Sequence, residues 1–139
     1  MLKLLREEGL WEPLRRACAA KPVFATCAGA ILLAREVSHP AQESLGLVDI
    51  GVERNAYGRQ VHSTVARLAT GAGAELEAVF IRAPVIRRLG AGVRVLARYQ
   101  GDPVLVEQGH FLVATFHPEL TPDRTLQKMF LEKAAHVAA

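Results

Sequence analysis

A chain of 139 residues, half of them hydrophobic and 22% charged, is long enough to bury one core without disulfides or metals, too short for two full domains and too apolar to be disordered. No apolar run approaches the roughly 20 residues of a membrane helix, and residues 1–16 carry charges where a signal peptide would be apolar, so a cytoplasmic protein is expected. The net charge of +3 is spread along the chain without a pattern of stacking aromatics, which argues against nucleic acid, and Cys18 and Cys27 form neither a CxxC pair nor a disulfide framework.

Residues 2–19 read as helix, with Leu2, Leu5, Leu14 and Ala17 partly on one apolar face and with Gly9 and Pro13 dividing it in two. Pro22-Val23-Phe24-Ala25-Thr26 is a short apolar run suited to a buried parallel strand. Cys27-Ala28-Gly29 follows at once, and then helix over 30–35, so the local order is strand, sharp turn, helix. A polar loop over 39–44 precedes two stretches, 45–53 and 60–68, that read as strands of an antiparallel excursion. Residues 69–74 read as a connection. Short apolar runs at 78–81, 93–97, 104–106 and 111–116 follow, the last three separated by the turn signals Gly101-Asp102 and Gln108-Gly109 and therefore expected as a meander. Thr121 as N-cap and Pro122 at the first helical position then open a helix running to about residue 137. Strands alternating with helices imply an α/β sheet with an antiparallel portion. Because the first strand already carries Cys27, a doubly wound sheet would lack its earlier strands.

A cysteine between a buried strand and a helix sits on a bend that exposes its sulfur above the carboxyl end of a sheet. Ala25, Ala28 and Gly29 are small enough for that bend, and the start of the following helix favours a thiolate. The Ala28 backbone N–H would face a developing oxyanion. The same cysteine also suits a role as a small buried apolar residue. His117-Pro118-Glu119 ends the run 111–116, and extended backbone would point His117 and Glu119 the same way, so that Glu119 could hold one ring nitrogen while the other faces the sulfur. A surface loop ahead of a helix explains that tripeptide equally well. Cys18 reads as a buried face residue. His39, His62, His110 and His136 have no metal spacing, and Gly71, Gly73, Gly90 and Gly92 read as turns.

Thr26-Cys27-Ala28-Gly29 before a helix, with a late Phe116-His117-Pro118-Glu119, resembles the class I, triad-type glutamine amidotransferases. The stretches 52–60 (VERNAYGRQ) and 79–84 (VFIRAP) are similar to the glutaminase subunits of pyridoxal 5′-phosphate synthase within that family. The resemblance implies a three-layer, flavodoxin-like mixed α/β sheet with helices on both faces and 1–139 as a single domain. It implies catalytic Cys27, His117 and Glu119, glutamine contacts at Arg54, Ile81 and Arg82, and the Ala28 N–H as oxyanion donor. Glutamine would be hydrolysed to glutamate and ammonia without cofactor or metal, and the ammonia passed to a synthase subunit making the vitamin B6 cofactor. Family members also carry a strand-helix-strand segment and a Gly-Gly-Glu-Ser loop ahead of the position of Met1. Its absence here implies an amino-terminally truncated domain with half of its oxyanion site, an exposed edge beside the strand 22–26, and weak activity or low stability. Two other readings remain at this point: a non-catalytic docking module of the same complex, and a glutaminase serving another acceptor.

Overall fold

A computed structural model describes residues 2–56, 64–71 and 73–138, with side chains to His136. The chain enters through α1 (Leu2–Glu7) and α2 (Trp11–Ala20). Gly9, at φ +66°, separates them, because a left-handed residue cannot continue a helix and glycine adopts it without strain. Pro13 does not divide the segment as expected. It is the third residue of α2, inside the first turn, where its missing N–H has no intrahelical partner to lose.

Strand β1 (Val23–Thr26) follows, then α3 (Ala28–Leu33), which is short because the chain straightens at Ala34 into β2 (Ala34–Ser38). The sequence reading runs that helix to Arg35 and overlooks β2. Ala34 is fully buried while Arg35 and Glu36 are exposed, a pattern too irregular for the alternation test to detect. Next come β3 (Val48–Glu53), β4 (Thr64–Ala69), β5 (Glu75–Phe80), β6 (Val85–Leu89), β7 (Arg94–Tyr99), β8 (Asp102–Gln108) and β9 (Phe111–Ala114). Strand β6 is also absent from the sequence reading, since Arg87 and Arg88 interrupt its apolar run. The chain ends in a 3-10 turn (Pro118–Leu120) and α4 (Thr125–Ala138). Residues 60–63 of the expected strand 60–68, and His62, lie outside the described residues.

The strands form a four-stranded sheet ordered β1-β9-β8-β7, a three-stranded sheet β2-β3-β6 and a β4-β5 pair. β7, β8 and β9 make the expected meander, and β1 joins β9 in parallel, with Thr26 beside Ala114. The excursion pairs differently from its sequence reading: β3 is parallel to β2 and antiparallel to β6, and β4 is antiparallel to β5. Among the described residues β1 is an edge strand.

Both faces of the four-stranded sheet are covered, and strand alternation assigns the residues to each. Ala25, Phe111 and Val113 pack with Ala30, Leu32 and Leu33 of α3, with Leu14 and Cys18 of α2 against them. Phe24, Leu112 and Ala114 pack on the other side with Leu126 and Phe130 of α4, and the Phe24 and Phe130 rings lie 5.5 Å apart. The three-stranded sheet is bolted to the first through Asp49, whose N–H donates to Gln108 Oε1 at 2.7 Å and whose carboxylate accepts from Arg88 at 2.9 Å. Gly90 makes this possible, since a Cβ there would lie 2.0 Å from Asp49 Oδ2.

The entry to α4 departs from its expected cap. Asp123, two residues after Thr121, accepts from the Thr125 N–H at 2.9 Å and the Thr125 hydroxyl at 2.6 Å. Its other oxygen accepts the Glu77 N–H at 2.9 Å, so one carboxylate both opens the helix and ties it to β5. The Thr125 hydroxyl and these backbone N–H groups hold Asp123 below the usual carboxylate range. Thr121 instead donates to the Pro118 carbonyl at 3.3 Å. No described helix is long and apolar enough to cross a membrane.

Candidate active site

The parallel register of β1 and β9 brings their carboxyl ends to one edge of the sheet, the position where α/β proteins gather their chemistry. Cys27 is the first residue past β1, and its N–H donates to the Ala114 carbonyl at 2.9 Å. Its backbone stands at φ +48°, ψ −104°, a region that costs a non-glycine residue on the order of 1–3 kcal/mol and persists only where the surroundings impose it. Here they do. β9 holds the N–H side, and α3 holds the other through the Ala30 N–H, which donates to the Cys27 carbonyl at 3.0 Å.

The bend leaves no room for bulk. A Cβ on Gly29 would come within 3.2 Å of the Ala25 methyl, so the small residues at 25 and 29 answer each other across the turn. Ala25 itself lies in β1 without a positive φ, which an alanine accommodates without strain.

His117 follows β9 and is held from the other side by β5, its N–H donating to the Val79 carbonyl at 2.8 Å. Its Nδ1 lies 2.5 Å from Glu119 Oε1. An ionised carboxylate can only accept, so Nδ1 carries the proton and Nε2 presents its lone pair. Pro118 and the 3-10 turn make this contact possible: they fold the chain back over one turn, so the carboxylate reaches the ring of a residue two positions earlier.

The Cys27 thiol is held above the ordinary thiol range. Burial is the largest cause, the Ala28 N–H hydrogen bond pulls the other way, and the nearby Glu119 charge adds to the rise. This corrects the expectation that the start of the helix would favour a thiolate. α3 has six residues, and desolvation outweighs its single aimed N–H. Alkylation of Cys27 by iodoacetamide needs the thiolate, so its rate should stay low at neutral pH and rise only above the ordinary thiol range. Glu119→Gln removes a repelling charge and should move that rise to lower pH. Peptide mapping of the alkylated chain across a pH series checks both; a midpoint below that of a free thiol would refute the account.

The expected glutamine contacts fall on two walls. Arg54 follows β3, its N–H donating to the Ser38 carbonyl at 2.9 Å, and it lines a pocket of about 310 Å³ together with Ala28, Ile31 and Leu32 of α3. Ile81 and Arg82 directly follow β5, just past the strand contact that holds His117, and do not line that pocket. Arg82 has φ +46°, a strained backbone like that of Cys27. Lys3 and Gln42 complete the pocket and are missed by sequence reasoning. Neither carries a local signal, because both reach the site only through packing of α1 and the loop after β2. The motif 52–60 is described only as far as Ala56. Cys18 is half-buried on α2, and its carbonyl lies 2.7 Å from His110 Nε2, at the start of β9 and so at the opposite end of that strand from the site. Among the described residues no three His, Cys, Asp or Glu side chains group as a metal site.

Residues 1–136 match the model of the SNO glutamine amidotransferase family. A protein of Solibacter usitatus called pyridoxal 5′-phosphate synthase subunit PdxT is 61% identical, over 96% of this chain and 73% of its own length. A protein of the same name from Thermus thermophilus is 53% identical, over 95% of this chain and 71% of its own. A solved structure described as a glutamine amidotransferase superposes with a TM-score of 0.86 at 49% identity, over 96% of this chain and 72% of its own.

Proposed function

The chain belongs to the SNO glutamine amidotransferase family, and from that premise we propose that it hydrolyses the side-chain amide of L-glutamine with Cys27 as nucleophile, His117 as base and Glu119 as orienter. The observation that carries this reading is the His117–Glu119 pair, 2.5 Å apart at the end of β9, beside a cysteine held at positive φ on the end of the neighbouring parallel strand.

The resting thiol is protonated, so attack and proton transfer occur together. His117 Nε2 takes the thiol proton as Cys27 Sγ bonds to the amide carbon, and the imidazolium is stabilised by Glu119. The amide oxygen becomes an oxyanion, and the Ala28 N–H, which bonds the sulfur at rest, turns to it. Collapse breaks the C–N bond, with His117 returning the proton to the departing ammonia and leaving a thioester. Water, deprotonated by His117, then releases glutamate and restores the thiol. Arg54, Ile81 and Arg82 hold the amino-acid end, where a guanidinium grips a carboxylate by charge-assisted hydrogen bonds.

The ammonia passes to a pyridoxal 5′-phosphate synthase subunit, the assembly named in the relatives. Residues 1–139 act there as a single cytoplasmic domain needing no cofactor or metal of their own. The test is trapping with 6-diazo-5-oxo-L-norleucine, a glutamine-shaped electrophile, with and without the synthase subunit. Adduct at Cys27 and not at Cys18, blocked by excess glutamine, is the expected outcome; equal labelling of both thiols would remove the specific site.

A further inference from the structure

The pocket beside Ala28 is lined by polar groups that are weakly engaged or unpaired among the described residues. The Arg54 guanidinium makes no hydrogen bond or ion pair among the described residues, although it lines the cavity. Lys3 reaches the same cavity, and its one described tie is a loose contact with Glu7 at 3.8 Å, both side chains being largely exposed. Gln42, on the third wall, makes only a long 3.5 Å bond to its neighbour's carbonyl. The floor is apolar, formed by Leu2, Ile31 and Leu32, and the volume of about 310 Å³ is at the lower end of the small-ligand range. One cation without a partner among the described residues and a second held only by a loose surface pair, beside apolar Leu2, Ile31 and Leu32, describe a site for a small anion with a short aliphatic stem.

The wall that carries Lys3 is anchored. Arg6, one turn further along α1, pairs with Glu43 and sits over the Trp11 ring at 4.6 Å. Leu5 packs into the core. Glu43 adjoins Gln42, so the Arg6–Glu43 pair ties α1, which carries Lys3, to the loop that carries Gln42.

We infer that Lys3 is a specificity-determining residue: with Arg54, from a separate element lining the same pocket, it clamps the α-carboxylate of the substrate amino acid. The inference rests on the glutaminase reading, and it assigns Lys3 a substrate contact that the resemblance does not imply. A single guanidinium would hold any carboxylate in reach. A second cation on a separate element fixes the distance between the carboxylate and the amide, and so selects the five-carbon amino-acid amide over shorter ones.

The experiment measures binding by calorimetry in the Cys27→Ala chain, which prevents turnover, with and without Lys3→Met. The ligands are L-glutamine and 4-aminobutanamide, the same molecule without its α-carboxylate. Lys3→Met should weaken glutamine about fivefold at low salt, the size of an exposed charge contact, with the loss shrinking as ionic strength rises. It should leave 4-aminobutanamide unchanged, and Lys3→Arg should bind glutamine as the parent does. Equal affinity of the Met variant and its parent for glutamine overturns the inference, as does an equal loss with both ligands, which would mark Lys3 as a shaper of α1. A parent chain that does not bind glutamine overturns it as well. Glutamine binding that depends on Lys3, in a protein whose intact Cys27 never turns over, would leave this inference standing and remove the glutaminase reading instead.

Discussion

Cys27→Ala should lower glutamine turnover by about 10³-fold or more, measured with the synthase subunit present, while leaving the denaturation midpoint almost unmoved. The size follows from removing the atom that forms the covalent intermediate, since nucleophile and base act as a unit and neither contributes its share alone. His117→Ala should therefore cost nearly as much, and the double variant little more than either. Cys18→Ala is the control, because that thiol is half-buried on α2, whose contact with His110 lies at the start of β9, at the opposite end of the strand from the site. Appreciable hydrolysis by the Cys27→Ala protein would sink the proposed mechanism outright. The thiol's upward shift adds a condition: with a protonated resting sulfur, removing the base removes the route to the nucleophile, so raising the pH should partly restore His117→Ala and do nothing for Cys27→Ala.

Phe116→Ala should destabilise the protein by about 3–5 kcal/mol, the usual cost of emptying a large aromatic site in a core. Phe116 is fully buried, its ring lies 5.5 Å from that of Phe80, and Phe80 in turn stacks on Tyr99 at 4.9 Å. A domain has only ~5–15 kcal/mol in total, so the urea midpoint should fall by about a fifth or more at unchanged slope. Phe116→Leu keeps most of the volume and should lose much less. The position also matters for chemistry, since Phe116 immediately precedes His117 and packs on Phe80, next to the Val79 carbonyl that holds His117. Activity per folded molecule should fall in the Ala variant as well. A change below about 1 kcal/mol would show that the site collapses to fill the void.

The local pieces were legible because each rests on neighbours in sequence. The run 22–26, the small residues after it and the meander signals at Gly101 and Gly109 all describe elements the structure contains. His117 and Glu119 were readable as a pair for the same reason, although their contact at 2.5 Å comes through a 3-10 turn rather than extended backbone. Elements whose stability comes from a distant partner were not. β2 and β6 have mixed patterns, and they are strands because they flank β3, whose Ile50 and Val52 are buried. Asp123 outcompetes Thr121 at the entry to α4 because it can also accept the Glu77 N–H from β5, a contact invisible along the chain.

By itself the sequence determined the family pattern and the candidate residues for its chemistry: a cysteine on a bend, a histidine and a glutamate near the end of the last strand, and an arginine early in the stretch 52–60. Tertiary structure alone decided that the two strand ends share an edge, because the parallel register of β1 with β9 is set by packing on both faces. It also decided the state of the sulfur, since desolvation depends on what surrounds the thiol and outweighs the one N–H that adjacent sequence provides. Lys3 and Gln42 belong to the same class: they reach Arg54 only because α1 and the loop after β2 are drawn together by Arg6 and Glu43, residues 37 positions apart.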